Sequence, residues 1–296
     1  MILIEPKACE FCKTLNSRNR ANCSFCGKSL GAINVNMVSA PSELEALEKR
    51  YIDAKKKSAN LALLEKFEER VKYDSKAVIN FDFSTLKAIV LNGDVYKSYQ
   101  KLLKENKKQI AEDVFDRKRM KVDGYMFGSW GEEITFAALS LNEQGLGSYG
   151  KIAVTLDEIA IKERATLLEE NSYSFALTDQ RLMKDEIPKG YRSVWVDRHK
   201  LAVVKHSSKL LSLDQEDGFV TILLRSDGNK ATDHFMEIHI FGPVGESAFN
   251  KIYINPNDLL GLIQTINKEK TLLGTEKALM VYNKIKAKLG SKLVDI

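Results

Sequence analysis

The sequence predicts an α+β fold, because helical patterns fill its first half and β-rich segments follow in its second half. The chain has 296 residues, 44% hydrophobic and 29% charged, which is enough to bury a sizeable core in about two units. All four cysteines lie within the first 26 residues, so a small N-terminal module is expected to precede the main domain. The net charge of +5 is spread over mixed-charge segments and gives nucleic-acid binding no strong support by itself.

The N-terminal cysteines form two Cys-x-x-Cys pairs, Cys9 with Cys12 and Cys23 with Cys26. Each pair can offer two thiolates to one tetrahedral Zn²⁺, and Gly27 suits the tight turn after the second pair. A pair of disulfides is the alternative, but it needs an oxidising compartment, and no signal peptide opens the sequence. We expect the zinc to be structural, because four protein ligands leave no open coordination position.

Residues 5–31 resemble a short zinc ribbon, and we assign residues 1–31 to this module. Ribbons bind nucleic acid, bind proteins or brace a chain terminus. The basic and aromatic side chains that could serve any of these roles are Arg18, Arg20, Lys28, Phe11 and Phe25. Docking or bracing is the simplest interpretation.

Residues 32–76 are predicted to hold a linker and a long amphipathic helix. The polar stretch 32–41 ends in Pro41, and Ser42 with Glu45 fits a capping box,. Apolar residues then recur near helical spacing, which predicts one helix over about 42–73. Packing against its own domain is the expected use of this apolar stripe, and dimerisation is the alternative. The oligomeric state is left open.

Residues 77–296 are predicted to form a mixed domain in which helices precede a mainly antiparallel sheet. A strand over KAVINFDF and a helical region over 98–121 come first. β-rich segments bounded by Gly, Pro, Asn or Asp follow at 149–156, 192–206, 217–226 and 234–242,. Helices near 256–268 and 272–289 close the sequence. The local signatures of nucleotide-binding dehydrogenases, P-loop NTPases, zincins and α/β-hydrolases are absent.

The segment FMEIHIFG carries the most unusual polar pair of the main domain. Glu237 and His239 lie two residues apart in an otherwise apolar strand, so a β-strand points both side chains to the same face. A buried carboxylate is costly unless it meets a partner or a ligand, which favours a functional role. The alternative is that Glu237 faces water at a sheet edge and His239 simply neighbours it.

Three segments of the second half resemble ADP-ribosyltransferase-like domains of bacterial toxins and phage or defence systems. They are YG-x-I-x-V-x-L from Tyr149, R-A-T-x-x-x-x-N-S around Thr166, and E-I-H-I-x-G-P from Glu237. The resemblance covers about residues 120–256 and implies a small split sheet that holds NAD. It assigns catalysis to Glu237, with His239 beside it, and cofactor contacts to Ser148, Tyr149 and Thr166. The first-strand Arg or His of such NAD sites has no identified counterpart.

Two functions follow as expectations. The resemblance implies an ADP-ribosyltransferase-like enzyme or toxin that cleaves the nicotinamide–ribose bond of NAD and modifies a macromolecular target. In that reaction a carboxylate stabilises an oxocarbenium-like transition state. The alternative is a non-catalytic zinc-ribbon protein that binds nucleic acid or a protein partner. The sequence lacks an N-terminal signal and a long apolar segment, so a cytoplasmic protein without a membrane partner is expected.

Overall fold

The computed structural model describes residues 5–105, 114–177, 187–210, 216–230, 232–255 and 272–295, without the side chains of 114–119 and 272–278. The strands are β1 (Lys7–Ala8), β2 (Leu15–Asn16), β3 (Lys76–Phe81), β4 (Ile134–Ser140), β5 (Ile152–Leu156), β6 (Ala165–Leu168), β7 (Arg192–Val194), β8 (Glu237–Phe241), β9 (Phe249–Ile254) and β10 (Leu293–Asp295). The helices are α1 (Ile33–Val38), α2 (Pro41–Lys57), α3 (Leu61–Asp74), α4 (Phe83–Asn92), α5 (Tyr99–Lys104), α6 (Val114–Phe127), α7 (Glu158–Ile161), α8 (Ser172–Leu177), α9 (Arg198–Leu210), α10 (Phe219–Leu223) and α11 (Leu272–Leu289).

The main domain is mixed α and β and is built on a multi-strand sheet, as the sequence predicts. Within the described residues, eight strands pair continuously in the order β10-β9-β5-β3-β4-β8-β6-β7. All neighbours are antiparallel except β10 and β9, which run parallel. Strands β1 and β2 form a separate antiparallel pair in the N-terminal module. Strand β8 is therefore an inner strand, paired on both edges.

The two faces of the sheet are covered by different helices. The main hydrophobic core includes Leu47 of α2, Phe67 of α3, Val203 of α9 and Ile238 of β8. A second cluster joins Phe127 of α6 and other apolar residues of α6 and α8 to the sheet. Since neighbouring residues of a strand point to opposite faces, Ile238 faces the main core and Glu237 faces the other side.

The predicted long helix over 42–73 is two helices. Helix α2 begins at Pro41 and α3 begins at Leu61, where the side chain of Asn60 accepts a hydrogen bond from Leu63 N at 3.1 Å. An N-cap residue has a non-helical backbone, so Asn60 separates α3 from the preceding helix. The two helices still place an apolar stripe on the core, with Leu47 and Phe67 buried.

Two segments predicted as strands are mostly helical. Only Arg192–Val194 of the segment 192–206 is a strand, and α9 occupies Arg198–Leu210. The segment 217–226 contains the short helix α10 instead of a strand. Both helices pack on the main core, so tertiary burial outweighs the β-propensity of their valine and isoleucine residues,. The predicted helix at 256–268 lies outside the described residues, whereas α11 matches the predicted one at 272–289.

Residues 32–41, predicted as a linker, contain the buried helix α1. Ile33, Asn34 and Val38 of α1 are each less than a tenth exposed, and α1 packs against β6, β7 and β8. The N-terminal module is thus followed directly by an element that lies on the main sheet. No helix in the described part of the chain is long and apolar enough to cross a membrane.

Candidate metal centre and the buried Glu237–His239 pair

The four cysteines converge on one point. Their sulfur atoms all lie within 4.8 Å of one another, with 3.7 Å between Cys9 and Cys26 and 3.6 Å between Cys12 and Cys23. A disulfide would need about 2.05 Å, whereas a tetrahedral site with metal–sulfur bonds of about 2.3 Å has sulfur–sulfur edges of about 3.8 Å. The predicted cluster of four cysteines is therefore present, and its geometry could hold a single metal ion.

The two Cys-x-x-Cys segments form equivalent turns, which we call the knuckles (9–13 and 23–27). The carbonyl of Cys9 accepts a hydrogen bond from Lys13 N at 2.9 Å, and that of Cys23 accepts one from Gly27 N at 3.1 Å. Lys13 and Gly27 both have left-handed backbones, with φ of 63° and 71°. This conformation turns backbone amides toward sulfur, as metal-binding knuckles require.

The electrostatics of the cluster favour a bound cation. Backbone amides of Cys26 and Phe25 and the side chain of Asn16 donate to the Cys23 sulfur and lower the pKa of Cys23 to about 6. The Lys28 amide lowers the pKa of Cys26, but lost hydration and the neighbouring sulfur atoms raise it overall to about 12. A Cys26 thiolate beside the other sulfur atoms is thus costly, and a bound cation would offset this cost.

The exposed aromatic and basic side chains of the module are Phe11, Phe25, Lys13, Arg20 and Lys28, and we call them the ribbon surface. The two phenylalanines occupy the same position in each knuckle and are 68% and 78% exposed. The Lys28 ammonium lies 5.3 Å from the centroid of the Phe11 ring. Within the described residues, none of the three cations of this surface forms an ion pair with a carboxylate.

Arg18, grouped with these cations by sequence, has a different environment. It is 8% exposed, and its guanidinium donates to Glu5 O at 2.9 Å and to Asn36 O at 2.8 Å. Lys7 reaches the same helix and donates to the Asn36 Oδ1 atom at 2.6 Å. These two cations attach the N-terminal module to α1 and are not available on the ribbon surface.

Glu237 and His239 form a buried hydrogen-bonded pair on β8. His239 Nε2 lies 2.8 Å from Glu237 Oε1, and the two residues are only 2% and 3% exposed. The backbone N–H of Ser172, at the start of α8, donates to Glu237 Oε2 at 3.2 Å. The interpretation in which Glu237 faces water at a sheet edge is excluded, because β8 is an inner strand and α8 covers the carboxylate.

Aromatic rings and one asparagine enclose the imidazole of His239. Its ring meets those of Phe127 and Phe136 edge to face, with centroids 4.8 and 5.6 Å away. Thr166 pairs with His239 across β6 and β8. Asn34 of α1 donates from Nδ2 to His239 O at 2.8 Å and lies 3.3 Å from the Thr166 hydroxyl.

A small cavity remains beside His239. Its walls are formed by Asn34, Val38, Met126, Phe127, Trp130, Thr166, Arg192 and His239. The cavity measures about 10 Å³, which is the space of a single water molecule. Pockets for small-molecule ligands typically occupy about 300–1,000 Å³. In this arrangement a dinucleotide does not fit beside His239.

Of the three residues that the resemblance assigns to cofactor contacts, one lines this cavity and two do not. Thr166 lines it, but Ser148 and Tyr149 are not among its lining residues. The Ser148 hydroxyl donates to the carboxylate of Asp233, and the half-exposed Tyr149 ring lies 4.9 Å from the Lys230 ammonium.

No protein-family model matches the sequence, and no curated protein shows significant sequence similarity to it.

Sequence reasoning missed several residues of the buried site. Asn34 lies in the segment interpreted as a linker, and Arg192 and Ser172 follow no motif that indicates a site. Arg192 is held by an ion pair with Glu43 of α2, a contact between residues 149 positions apart. The only local signal for Asn34 was its place between apolar residues in INVNMV, a pattern that indicates burial of one face.

Proposed function

We propose that Cys9, Cys12, Cys23 and Cys26 hold one structural Zn²⁺, and that the protein binds single-stranded nucleic acid through its ribbon surface. One observation carries this proposal: each knuckle projects a phenylalanine into solvent, and the Lys28 ammonium, which forms no ion pair with a described carboxylate, lies 5.3 Å from the centroid of the Phe11 ring. Zinc is the metal that four thiolates in a closed tetrahedral site favour. Arg18 and Lys7 brace the module, which leaves the knuckles facing solvent.

Exposed aromatic rings with neighbouring cations match the chemistry of single strands. Unpaired bases stack on aromatic rings, with about 1–3 kcal/mol per base, and Lys and Arg neutralise phosphates. Three cations on a surface of this size suit a contact of a few nucleotides. Duplex recognition would need an element that enters a groove, and the knuckles offer only short turns.

Metal analysis tests the zinc assignment. The purified protein is expected to contain one Zn²⁺ per chain, and Cys9→Ser and Cys23→Ser are each expected to lose it, because three ligands hold the ion far more weakly. Zinc must be measured after exhaustive dialysis against a weak chelator. Stoichiometric zinc in both variants would contradict the assignment.

Fluorescence anisotropy with labelled single-stranded oligonucleotides tests the binding proposal. Phe11→Ala and Phe25→Ala are each expected to weaken binding by about 5- to 150-fold, since each removes one stacking platform. Leu15→Ala is the matched control, because Leu15 is equally exposed at 65% but has no ring. Raising salt from 50 to 200 mM is expected to weaken binding about 20-fold for three phosphate contacts.

Two outcomes would refute the nucleic-acid proposal. One is the absence of binding to DNA and RNA single strands at 50 mM salt while zinc is stoichiometric. The other is binding that Leu15→Ala weakens as much as Phe11→Ala does. Either result would favour a protein partner for the ribbon surface.

A second candidate function, cleavage of NAD, is favoured by the Glu237–His239 pair. The resemblance assigns the catalytic carboxylate to Glu237, and a hydrogen bond from His239 and one from Ser172 N hold that carboxylate rigidly. A carboxylate fixed in this way can stabilise a ribosyl cation by its charge. NAD would have to enter where the cavity now has room for about one water molecule,, so this function requires α1 or the segment around Trp130 to move.

Incubation with NAD tests the second candidate. If it is correct, Glu237→Gln should lower NAD consumption by a factor of about 10²–10³, because the amide keeps the shape but loses the charge. His239→Ala should lower it less, since the imidazole orients the carboxylate. Thermal melting must accompany each rate, because buried substitutions also unfold proteins. Failure of the wild type to consume NAD with cell lysate as acceptor would remove this candidate.

A further inference from the structure

Helix α1 forms one wall of the cavity beside His239. Asn34 Nδ2 lies 2.8 Å from His239 O, 3.0 Å from Arg164 O and 3.3 Å from Thr166 Oγ1. Val38, at the end of the helix, lines the same cavity. Displacement of α1 would therefore uncover His239 on β8.

Helix α1 cannot keep this position by its own stability. It has six residues, and no side chain caps its N-terminus at Ala32. Isolated helices shorter than about 12–15 residues are marginal in water. Its place on the sheet depends on the Asn34 hydrogen bonds, on the burial of Ile33 and Val38, and on contacts with the N-terminal module.

The N-terminal module forms hydrogen bonds with one residue of α1, Asn36. Arg18 donates to the Asn36 carbonyl at 2.8 Å, and Lys7 donates to its side-chain Oδ1 at 2.6 Å. Lys7 also donates to Leu30 O at 2.7 Å, within the module itself. The module thus attaches to α1 through two long cationic side chains. These side chains keep their positions only while the module is folded.

The folding of the module depends on its metal site. Within its described residues, 5–31, the buried cluster contains only Cys9, Cys23 and Leu30, with Cys12 packed against them. So few apolar residues cannot offset the conformational entropy of about 27 ordered residues without a metal ion. Loss of the metal would therefore release Arg18 and Lys7 together.

The covered cavity contains polar atoms that lack partners. Among the described residues, Asn34 Oδ1 and Arg192 Nε are buried without a hydrogen-bond partner, and both residues line the cavity. A buried donor or acceptor left unpaired costs about 1–3 kcal/mol. Arg192 belongs to β7 and would remain at the opened cavity, where its unpaired Nε favours entry of a polar molecule.

We propose that the metal-loaded module is a latch that holds α1 over His239, and that loss of zinc widens the cavity beside it. The inference rests on zinc binding by the four cysteines and on neither nucleic-acid binding nor NAD cleavage. In this arrangement the metal state of the cysteines controls access to His239 on the main sheet.

Tryptophan fluorescence tests the latch. The chain has two tryptophans: Trp130 lines the cavity, and Trp195 is 1% exposed in the main core. Acrylamide quenching is measured on zinc-loaded protein and on protein stripped by a chelator, with zinc content determined in the same samples. Comparison with Trp130→Phe isolates the Trp130 signal.

Removal of zinc is expected to raise the quenching constant of Trp130 about twofold or more while that of Trp195 stays unchanged. A cooperative thermal transition should remain. Unchanged Trp130 quenching in zinc-free protein would overturn the latch. Increased quenching of both tryptophans with loss of the transition would also overturn it, because zinc would then support the whole fold.

A matched pair of variants separates the latch from metal loss. Arg18→Met keeps the length of the side chain but removes the donors to Asn36 and Glu5, so Trp130 quenching should rise at full zinc content. Arg20→Met is the control, because Arg20 is exposed and its guanidinium donates to Asn22 O, within its own module, and to no other described residue. Equal quenching in the two variants at full zinc would contradict the role of Arg18.

Discussion

At the scale of single residues, the Glu237–His239 pair shows what a local pattern can predict. Alternation along a strand correctly places both side chains on one face, and burial of a carboxylate correctly requires a partner, which is His239 itself,. The pattern could not reveal Asn34, which meets His239 across 205 residues. A hydrogen bond between a distant helix and a strand carbonyl leaves no periodic signal in either segment.

A second buried histidine gives a prediction on pH. His206 is fully buried, and neither of its ring nitrogens has a hydrogen-bond partner in the part of the chain that the structure describes. Burial, followed by the charges of Lys205, Lys209 and His234, holds the pKa of His206 well below its usual value. In the unfolded chain His206 takes up a proton near pH 6.5, whereas in the folded chain it stays neutral. The free energy of unfolding therefore falls as the pH falls below 6.5.

Replacement of His206 by leucine should remove this loss of stability at low pH. The difference in unfolding free energy between His206→Leu and wild type is expected to shift by about 1.4 kcal/mol in favour of the variant between pH 7.5 and 5.5. Urea denaturation at the two pH values measures it. Packing changes affect both values equally and cancel. A difference that stays constant would mean that His206 ionises alike in both states.

At the scale of elements, the two knuckles are the part that sequence predicts best. The spacing of the cysteines defines each turn, and Gly27 takes the left-handed conformation that its type suggests,. Lys13 occupies the same conformation in the first knuckle without that freedom. The candidate metal site is thus local in sequence, which is why residue spacing alone located its four cysteines.

Gly27→Ala tests how strongly the knuckle conformation matters. A Cβ at this position meets no atom within 4 Å, so the change acts only through its φ of +71°, at about 1–2 kcal/mol. Because folding of the module and metal binding are coupled, zinc affinity should fall about 5- to 30-fold. Competition with a chromogenic chelator measures it.

The matched control for Gly27→Ala lies outside the module. Gly228 has a φ of +86° and equally open space around its missing Cβ. Gly228→Ala should therefore lower stability by a similar amount while zinc affinity stays at the wild-type value. An equal loss of zinc affinity in both variants would show that the metal site senses global stability and not the knuckle turn.

Helix α9 shows why other elements could not be predicted. Its buried positions His199, Ala202, Val203 and His206 follow helical spacing, but the pattern appears only if both histidines are counted as buried. Counted as polar, they leave a valine-rich segment that favours a strand. The fold class depends on long apolar segments and was predictable, whereas this helix depends on tertiary burial of polar side chains.

At the scale of the whole molecule, the N-terminal module meets two environments. Its knuckles face solvent, and its Arg18 and Lys7 side chains attach it to α1, which lies on the main sheet. Arg18 and Lys7 are not part of the main hydrophobic core, whose first member in the described part of the chain is Leu47. The module is therefore positioned by hydrogen bonds and not by shared apolar packing, so it can be lost without removing the core.

Truncations at two positions separate the module from helix α1. Removal of residues 1–31 should leave cooperative unfolding but cost about 3–8 kcal/mol, because it removes the hydrogen bonds of Arg18 and Lys7 and lets α1 leave the sheet. Removal of residues 1–40 also deletes Asn34, Ile33 and Val38 and should cost little more, since α1 is already released. Urea denaturation of both truncated proteins measures these differences. A first truncation without a cooperative transition would show that the module is integral to the fold, and a second truncation that is clearly less stable than the first would show that α1 stays on the sheet without its anchor.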